Sequence, residues 1–323
     1  MDDVILKYVE SQEDYFNGWK IDRRVGQGSY GCVWKIKMKE SAWQGPSCSA
    51  LKVIPVPASE EIREKAWLEG LDKESARLYF EMVLNKALDE IKIMQKLAES
   101  DNVVQIYEYE IRDMYESGGY GWLLLIRMEY LVPLTRLAMD NKLALDDIVK
   151  LGIDICRALE KLYEKRIVHQ DIKPDNIFYN PYTKRYKLGD FGIAKQTTRN
   201  TIQKGRPGTL SYMSPEVYSG QEASYDLDLY AIGMVLYRML NHFRIPGLPE
   251  YPRVFTPDDR NLAMMKRLKG ENPPLPYYSY LIDDSANESR AKKLAHIVQK
   301  SISAEMKMRY QTAEMLRKAL ESV

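Results

Sequence analysis

Along the first 130 or so residues, apolar and polar positions alternate or run as short apolar blocks; beyond Pro133 apolar residues recur every three or four positions. Alternation marks a half-buried strand, and the three-to-four step marks a helix with one face in a core. Trp19 to Val25 and Cys32 to Met38 both alternate, and the Gly-Gln-Gly-Ser-Tyr-Gly run between them predicts a hairpin. Ala50 to Ile54 reads as a buried strand interrupted by Lys52. Val103 to Glu110 and Trp122 to Glu129 predict two further strands, parted by the turn-rich Glu116-Ser117-Gly118-Gly119. Between the third and fourth strands, the charged stretch Ser59 to Tyr79 predicts an extra helix or two. A separate helix follows over Leu84 to Ala98, with Ala87, Ile91, Met94 and Ala98 as its apolar stripe.

The second part is helical. Ile148, Leu151, Ile155, Leu159 and Leu162 step by three and four through Asp146 to Arg166, with acids in the first turn and bases in the last, as the helix dipole favours. Asp228 to Arg238, Leu262 to Leu268, Ala291 to Ile302 and Thr312 to Leu320 predict four more helices, and prolines break the chain from Pro246 to Pro257 and from Pro273 to Pro276.

Totals narrow the function classes. Forty-seven basic against forty-six acidic residues leave a net charge of +1, so no partner of strong charge such as nucleic acid or an anionic membrane is called for. The longest apolar run, Trp122 to Ile126, is far too short for a bilayer. Three cysteines, Cys32, Cys48 and Cys156, without metal-ligand spacing or a secretory leader, suggest reduced thiols in a cytoplasmic protein.

The candidate chemistry is concentrated in Val168 to Phe178, VHQDIKPDNIF, followed by Asp190-Phe191-Gly192. Asp171 can orient a hydroxyl and take its proton, Lys173 can steady negative charge on a group in flight, and Asn176 with Asp190 can hold a hard divalent cation through oxygen. Gly26, Gly28 and Gly31 with Val33 form G-x-G-x-x-G-x-V, where missing side chains let backbone amides approach phosphate oxygens. Alone that motif also fits a plain glycine-rich hairpin. A lysine inside a buried strand is costly unless it reaches water or meets a carboxylate, which makes Lys52 a candidate for an ion pair with Glu90, Glu81 or Asp89.

The ordered set resembles the eukaryotic-type (Hanks-type) serine/threonine protein kinases, with a weaker likeness to their bacterial members, over roughly Trp19 to Leu320. The resemblance implies an α+β, bilobal fold: a leader over residues 1–18, a β-rich small lobe over 19–131 with a helical insertion around 56–83, and a mainly helical large lobe over 132–323. It implies ATP and Mg2+ as cofactors and protein substrates bearing Ser or Thr, with oligomeric state left open. Nucleotide contacts would come from Gly26, Gln27, Gly28, Gly31, Val33, Ala50, Lys52, Met128, Glu129, Leu131 and Phe178, with Glu129 and Leu131 along the adenine edge. Lys52 would pair with Glu90, Asp171 would accept the substrate proton, Thr209 would bridge Asp171 and Lys173, and Asn176 and Asp190 would hold the metal. Glu216 would pair with Arg309 structurally, and Asp228 would accept backbone amides of the catalytic loop.

Two departures matter. Ser214-Pro215-Glu216 replaces Ala-Pro-Glu, and Gln170 stands where the family has an arginine that meets a phosphate on the activation segment. A neutral amide cannot make that charge-assisted pair, which implies activity independent of phosphorylation at Thr197, Thr198 or Thr201. A pseudokinase scaffold and a small-molecule kinase of related fold are the rival classes. The retained Lys52, Asp171, Asn176 and Asp190 argue against the first, and Thr209 with Ser-Pro-Glu argues against the second.

Overall fold

A computed structural model describes residues 3–28, 31–38, 48–114, 121–140, 143–191, 195–196, 209–221, 225–282 and 285–323. Gly192, Thr197, Thr198, Thr201 and Gly208, and the turn at 116–119, lie outside the described residues. The chain divides into two units, one comprising 1–98 and 104–131, the other 99–103 and 132–323.

In the first unit, helix α1 (Asp3–Ser11) is followed by strands β1 (Trp19–Gly28), β2 (Gly31–Met38) and β3 (Cys48–Val56), helices α2 (Glu60–Leu68) and α3 (Lys73–Lys96), and strands β4 (Ile106–Asp113) and β5 (Trp122–Glu129). The strands form one antiparallel sheet in the order β1-β2-β3-β5-β4. Because side chains alternate across a strand, the sheet carries two cores. On one face Cys32, Trp34, Ile36, Leu51, Val53, Leu123 and Leu125 pack with Val9, Tyr15 and Trp19. On the other, Ile54, Val56, Leu124 and Ile126 pack under Phe80, Leu84 and Ile91 of α3.

Three expectations change here. The first eighteen residues, expected as a leader outside the small lobe, supply part of its core: Val9 and Tyr15 are buried, the Tyr15 hydroxyl donates to the Val9 carbonyl at 2.6 Å, and Trp34 Nε1 donates to Glu10. Second, the insertion holds the expected extra helix, but the helix expected over Leu84–Ala98 starts earlier, inside the insertion. One short helix, α2, is capped by Ser59, and its successor α3 starts at Lys73 on the cap of Asp72, whose side chain accepts from Ser75 N at 2.8 Å, then runs unbroken for 24 residues. At its end the buried residue is Leu97, and Ala98 is exposed. Third, Val103 does not open a strand of this sheet: it bridges in parallel to Leu188 in the second unit, and β4 begins at Ile106.

The second unit continues with β6 (Val132–Pro133), α4 (Leu134–Asp140), α5 (Leu145–Glu164), β7 (Ile167–Val168), a 3-10 turn at Pro174–Asn176, β8 (Ile177–Asn180), β9 (Arg185–Leu188), β10 (Lys195–Gln196), α6 (Pro215–Tyr218), α7 (Tyr225–Leu240), α8 (Pro257–Leu268), α9 (Ser285–Ser301) and α10 (Ala313–Glu321). Its core is built on α5 and α7. In α7 almost every residue from Leu227 to Leu240 is buried, so the helix is apolar all round, as a central helix must be. Asp154 of α5 is buried yet satisfied, accepting from the Tyr186 amide at 3.0 Å and from Lys150. Among the described residues no helix is long and apolar enough to cross a membrane, and the three cysteines are free thiols, two of them buried.

Candidate active site

In the first unit, the register of the sheet determines which side chains share a face. Val33 stands opposite Lys52 and Lys52 opposite Ile126, while Ala50 stands opposite Met128 two pairs along. Directly opposed residues lie on one face. Val33, Ala50, Lys52 and Met128 therefore form one patch, on the face that α3 covers. From α3, Glu90 reaches back so that Oε1 lies 3.7 Å from Lys52 Nζ, with both side chains mostly shielded. The rivals are elsewhere: Glu81 is exposed, and Asp89 is exposed and binds Lys92 at 2.8 Å.

At the hairpin, Gly26, Gln27 and Gly28 oppose Val33, Cys32 and Gly31. The glycines differ in what they require. Gly31 has φ 159° and a Cβ there would lie 2.1 Å from the Val53 carbonyl oxygen, so only glycine lets β2 approach β3 so closely; a Cβ on Gly26 would meet nothing within 4 Å. Glu129 is fixed at the end of β5, its amide donating to the Gln105 carbonyl at 3.1 Å and its carboxylate accepting from the Gln105 amide at 2.7 Å. Leu131 ends this unit, and Phe178 sits in β8 of the other, paired with Pro133 and Lys187.

In the second unit, three candidate side chains meet at the carboxylate of a fourth, Asp171. Lys173 Nζ lies 2.6 Å from Asp171 Oδ2, Thr209 Oγ1 donates to Asp171 Oδ1 at 3.1 Å, and Lys173 also reaches Thr209 Oγ1 at 3.3 Å. Asn176 Nδ2 donates to the Asp171 carbonyl at 2.8 Å and to its carboxylate at 3.1 Å. The residue is only 3% exposed. Its backbone carbonyl accepts from Gly189 at 2.9 Å, which ties the loop to the residue before Asp190. An amide oxygen next to a carboxylate suits a hard cation. Among the described residues no group of three or more His, Cys, Asp or Glu could cage a metal.

The chain from Trp19 position 19 to Leu320 position 320 matches the family model described as the protein kinase domain. The chain belongs to the protein kinase family. It is 34% identical over 200 residues to the serine/threonine-protein kinase RUNKEL of Arabidopsis thaliana, covering 59% of this chain and 13% of that protein. It is 26% identical over 234 residues to human serine/threonine-protein kinase Nek10, covering 70% and 18%. With the ovarian-specific serine/threonine-protein kinase Lok of Drosophila melanogaster it shares 27% over 245 residues, covering 74% and 46%. The kinase domain thus matches between 13% and 46% of the length of these relatives.

What holds the kinase loop in place is long-range. Asp228, fully buried at the start of α7, accepts from the amides of His169 at 2.8 Å and Gln170 at 2.9 Å. Burial raises its carboxyl to about 7, against the pull of those two amides. Gln170 is buried and lies at φ 70°, and Asp190 at φ 61°, two left-handed residues flanking the site. Strained backbone of this kind persists where the surroundings enforce it.

Sequence reasoning gave no role to two residues. His169, fully buried, accepts the Asp171 amide on Nδ1 at 3.3 Å and faces the Gly189 carbonyl with Nε2 at 3.1 Å. The hydrogen-bond pattern assigns the proton to Nε2, and burial lowers the imidazole to about 4, so the ring is neutral. It also packs edge-on against Phe191 at 4.8 Å, joining the loop of Asp171 to the residue after Asp190. Its place two residues before Asp171 was the available signal. Arg267 of α8 is buried and donates to the carbonyls of Met213 and Leu210 and to the Tyr230 hydroxyl, bracing the turn that carries Thr209. No local pattern marks it, because every acceptor is more than thirty residues away. Glu216 and Arg309 form a buried bidentate pair at 2.7 and 2.9 Å.

Proposed function

We propose that the chain is a serine/threonine protein kinase that transfers the γ-phosphoryl group of Mg-ATP to Ser or Thr hydroxyls of protein substrates. The observation that carries the proposal is the Asp171 carboxylate, held at once by Lys173, Thr209 and Asn176. Both its oxygens are oriented, so it is poised to align an incoming hydroxyl and take its proton. Lys173, 2.6 Å away, orients this carboxylate and adds positive charge where the transferred group passes. Thr209 joins the turn Leu210–Met213 to this pair and would set the acceptor's approach.

In the small unit, Lys52 oriented by Glu90 is the cation for the α- and β-phosphates, and the bare backbone at Gly26 and Gly31 offers amides to phosphate oxygens. Val33, Ala50 and Met128 would form the apolar bed for the base, with Glu129 and Leu131 along its edge; Phe178 of the second unit is the remaining candidate. Asn176 Oδ1 and the Asp190 carboxylate would hold Mg2+, which when bound supplies charge neutralisation of the phosphates. Two oxygen ligands are too few for a closed cage, and a site completed by phosphate oxygens is the usual one for this ion.

The test is transfer of labelled phosphate from Mg-ATP to a mixed-protein substrate, with Asp171→Asn beside the natural chain. Transfer should fall by at least about a thousandfold in the variant. Full activity of Asp171→Asn, or label appearing on tyrosine alone, would refute the assignment.

A further inference from the structure

The second unit holds a cavity of about 570 Å3 outside the residues given a role above. Its walls carry Arg238 from the end of α7, Arg244 from the loop after it and Arg260 from α8, with Phe243, Tyr251 and Phe255 between them; no carboxylate lines it. None of the three guanidinium groups has an acidic partner within 4.0 Å among the described residues. Arg238 donates through Nε to the Phe243 carbonyl at 3.0 Å and through Nη1 to the Tyr212 hydroxyl. Arg244 donates through Nη1 to the carbonyls of Pro249 and Arg253 and lies over the rings of Tyr251 and Phe255, at 5.5 and 5.0 Å. Arg260 donates to Ser211 Oγ at 3.4 Å.

Every acceptor is neutral, and each arginine keeps further N–H donors. Arg238 and Arg244 are half-buried, so their charge is poorly shielded by water. Of the two fully buried arginines of α8 and the C-terminal region, Arg309 is neutralised by Glu216, whereas Arg267 is held by carbonyls and a hydroxyl and does not face this cavity. Three uncompensated cations converging on one concave surface focus a positive potential, and planar guanidinium groups match carboxylate or phosphate oxygens in pairs. The loop that forms the floor is held in an unfavourable conformation, with His242 at φ 49° and Phe243 at φ 62°, two consecutive non-glycine residues in the left-handed region. Arg238 clamps that loop, since the Phe243 amide also donates to the Arg238 carbonyl at 2.6 Å.

The cavity adjoins the reacting centre. Ser211 and Tyr212, which its arginines touch, belong to the turn in which the Tyr212 amide donates to the Thr209 carbonyl at 2.8 Å, and Thr209 is the residue bonded to Asp171. An extended peptide advances about 3.3–3.6 Å per residue, so a side chain roughly two to four residues from the acceptor hydroxyl would arrive there. We propose that this cavity binds an anionic side chain of the protein substrate, a carboxylate or a phosphorylated residue, and so directs the kinase to acidic sequences. The word substrate rests on the kinase reading; the anion site does not.

Binding without ATP tests it apart from turnover. Fluorescein-labelled peptides with a central serine in an alanine background, each carrying one aspartate at a different position, are titrated with the full chain and followed by anisotropy. One position, or two neighbouring ones, should bind at least about fivefold tighter than the all-alanine peptide. Arg260→Glu, at an exposed site, should abolish that gain and favour lysine at the same position, and Arg244→Gln should reduce it. Phosphoserine at that position binds more tightly than aspartate if phosphate is the natural anion, and no more tightly if carboxylate is. Aspartate without effect at any position up to about 1 mM chain, or a gain that survives Arg260→Glu, would overturn the proposal. That result would leave Asp171-dependent transfer standing, and loss of transfer would leave the binding preference standing.

Discussion

Removing the charge of Glu216 gives the sharpest test of how the large unit is held together. Glu216 and Arg309 are 9% and 4% exposed, and their two contacts of 2.7 and 2.9 Å match the fork of a guanidinium to both oxygens of a carboxylate. Breaking a buried pair by removing one partner costs about 3–5 kcal/mol, because the other charge is left in a poor dielectric. Here the cost falls at the lower end. Arg309 keeps the carbonyls of Ser303 at 2.7 Å and Ala304 at 3.2 Å, and its guanidinium lies 4.6 Å from the centre of the Tyr230 ring. Glu216→Gln preserves the shape and one acceptor, so about 3 kcal/mol is expected, or roughly 6–12 °C of Tm for a unit of this size.

The assay follows from where the chromophores are. All five tryptophans lie at or before Trp122, so fluorescence reports the small unit and far-UV circular dichroism must be used for the helices of the large one. Acidity gives an independent check. Burial raises the Glu216 carboxyl, but the bonds and charge of Arg309 outweigh it and the net displacement is below the ordinary 4.5. A lowered carboxyl stabilises the fold above its ordinary value and loses that contribution as pH falls through the lowered one. The gap between the natural chain and Glu216→Gln should thus be full at pH 7 and close below about pH 4.5. A Tm loss under about 2 °C, or a gap unchanged in acid, would show that the pair does not anchor this unit.

Asp228→Ala leaves the His169 and Gln170 amides buried without an acceptor, and at about 1–3 kcal/mol each the chain should lose about 2–6 kcal/mol in urea unfolding and most of its phosphoryl transfer. Gly31→Ala should lower the stability of the small unit by several degrees in tryptophan-monitored melts, while Gly26→Ala should leave the melt unchanged and raise KM for ATP. Lys52→Met should reduce kcat/KM by at least about a hundredfold with only a small change in Tm, since the 3.7 Å contact with Glu90 is a long one and Met keeps the apolar stem packed in the sheet. Replacing Thr197, Thr198 and Thr201 together by Ala should leave turnover nearly intact, because Gln170 offers no charge to a phosphate; a loss of a hundredfold or more would refute this.

The strands were legible because each half-buried strand shows its period directly: Trp122–Glu129 was expected and found with the same bounds. So was the meeting of Asp171, Lys173 and Asn176, because they lie within one short stretch. Boundaries set by tertiary contact were not. The start of α3 was hidden because Leu78, Tyr79 and Met82 in its first turns are exposed and blur the apolar stripe. Tyr15 and Val9 have no period linking them to the sheet they complete, and Val103 followed by Val104 looks like a strand when its bridge is to Leu188. Arg267, which braces the turn of Thr209, depends on acceptors that only the folded chain brings near.

The unbroken length of α3 has a mechanical consequence. At 1.5 Å per residue its 24 residues form a rod about 36 Å long, and Glu90 lies about 25 Å from its start at Lys73. A stiff rod rolls as one piece, and a carboxylate about 6 Å off the axis travels about 1 Å for every 10° of roll. The contact between Glu90 and Lys52, at 3.7 Å, is already near the limit of an ion pair. Torque applied far away, on the turns that precede Leu84, would therefore act as a lever that couples or releases the lysine without any loop having to move.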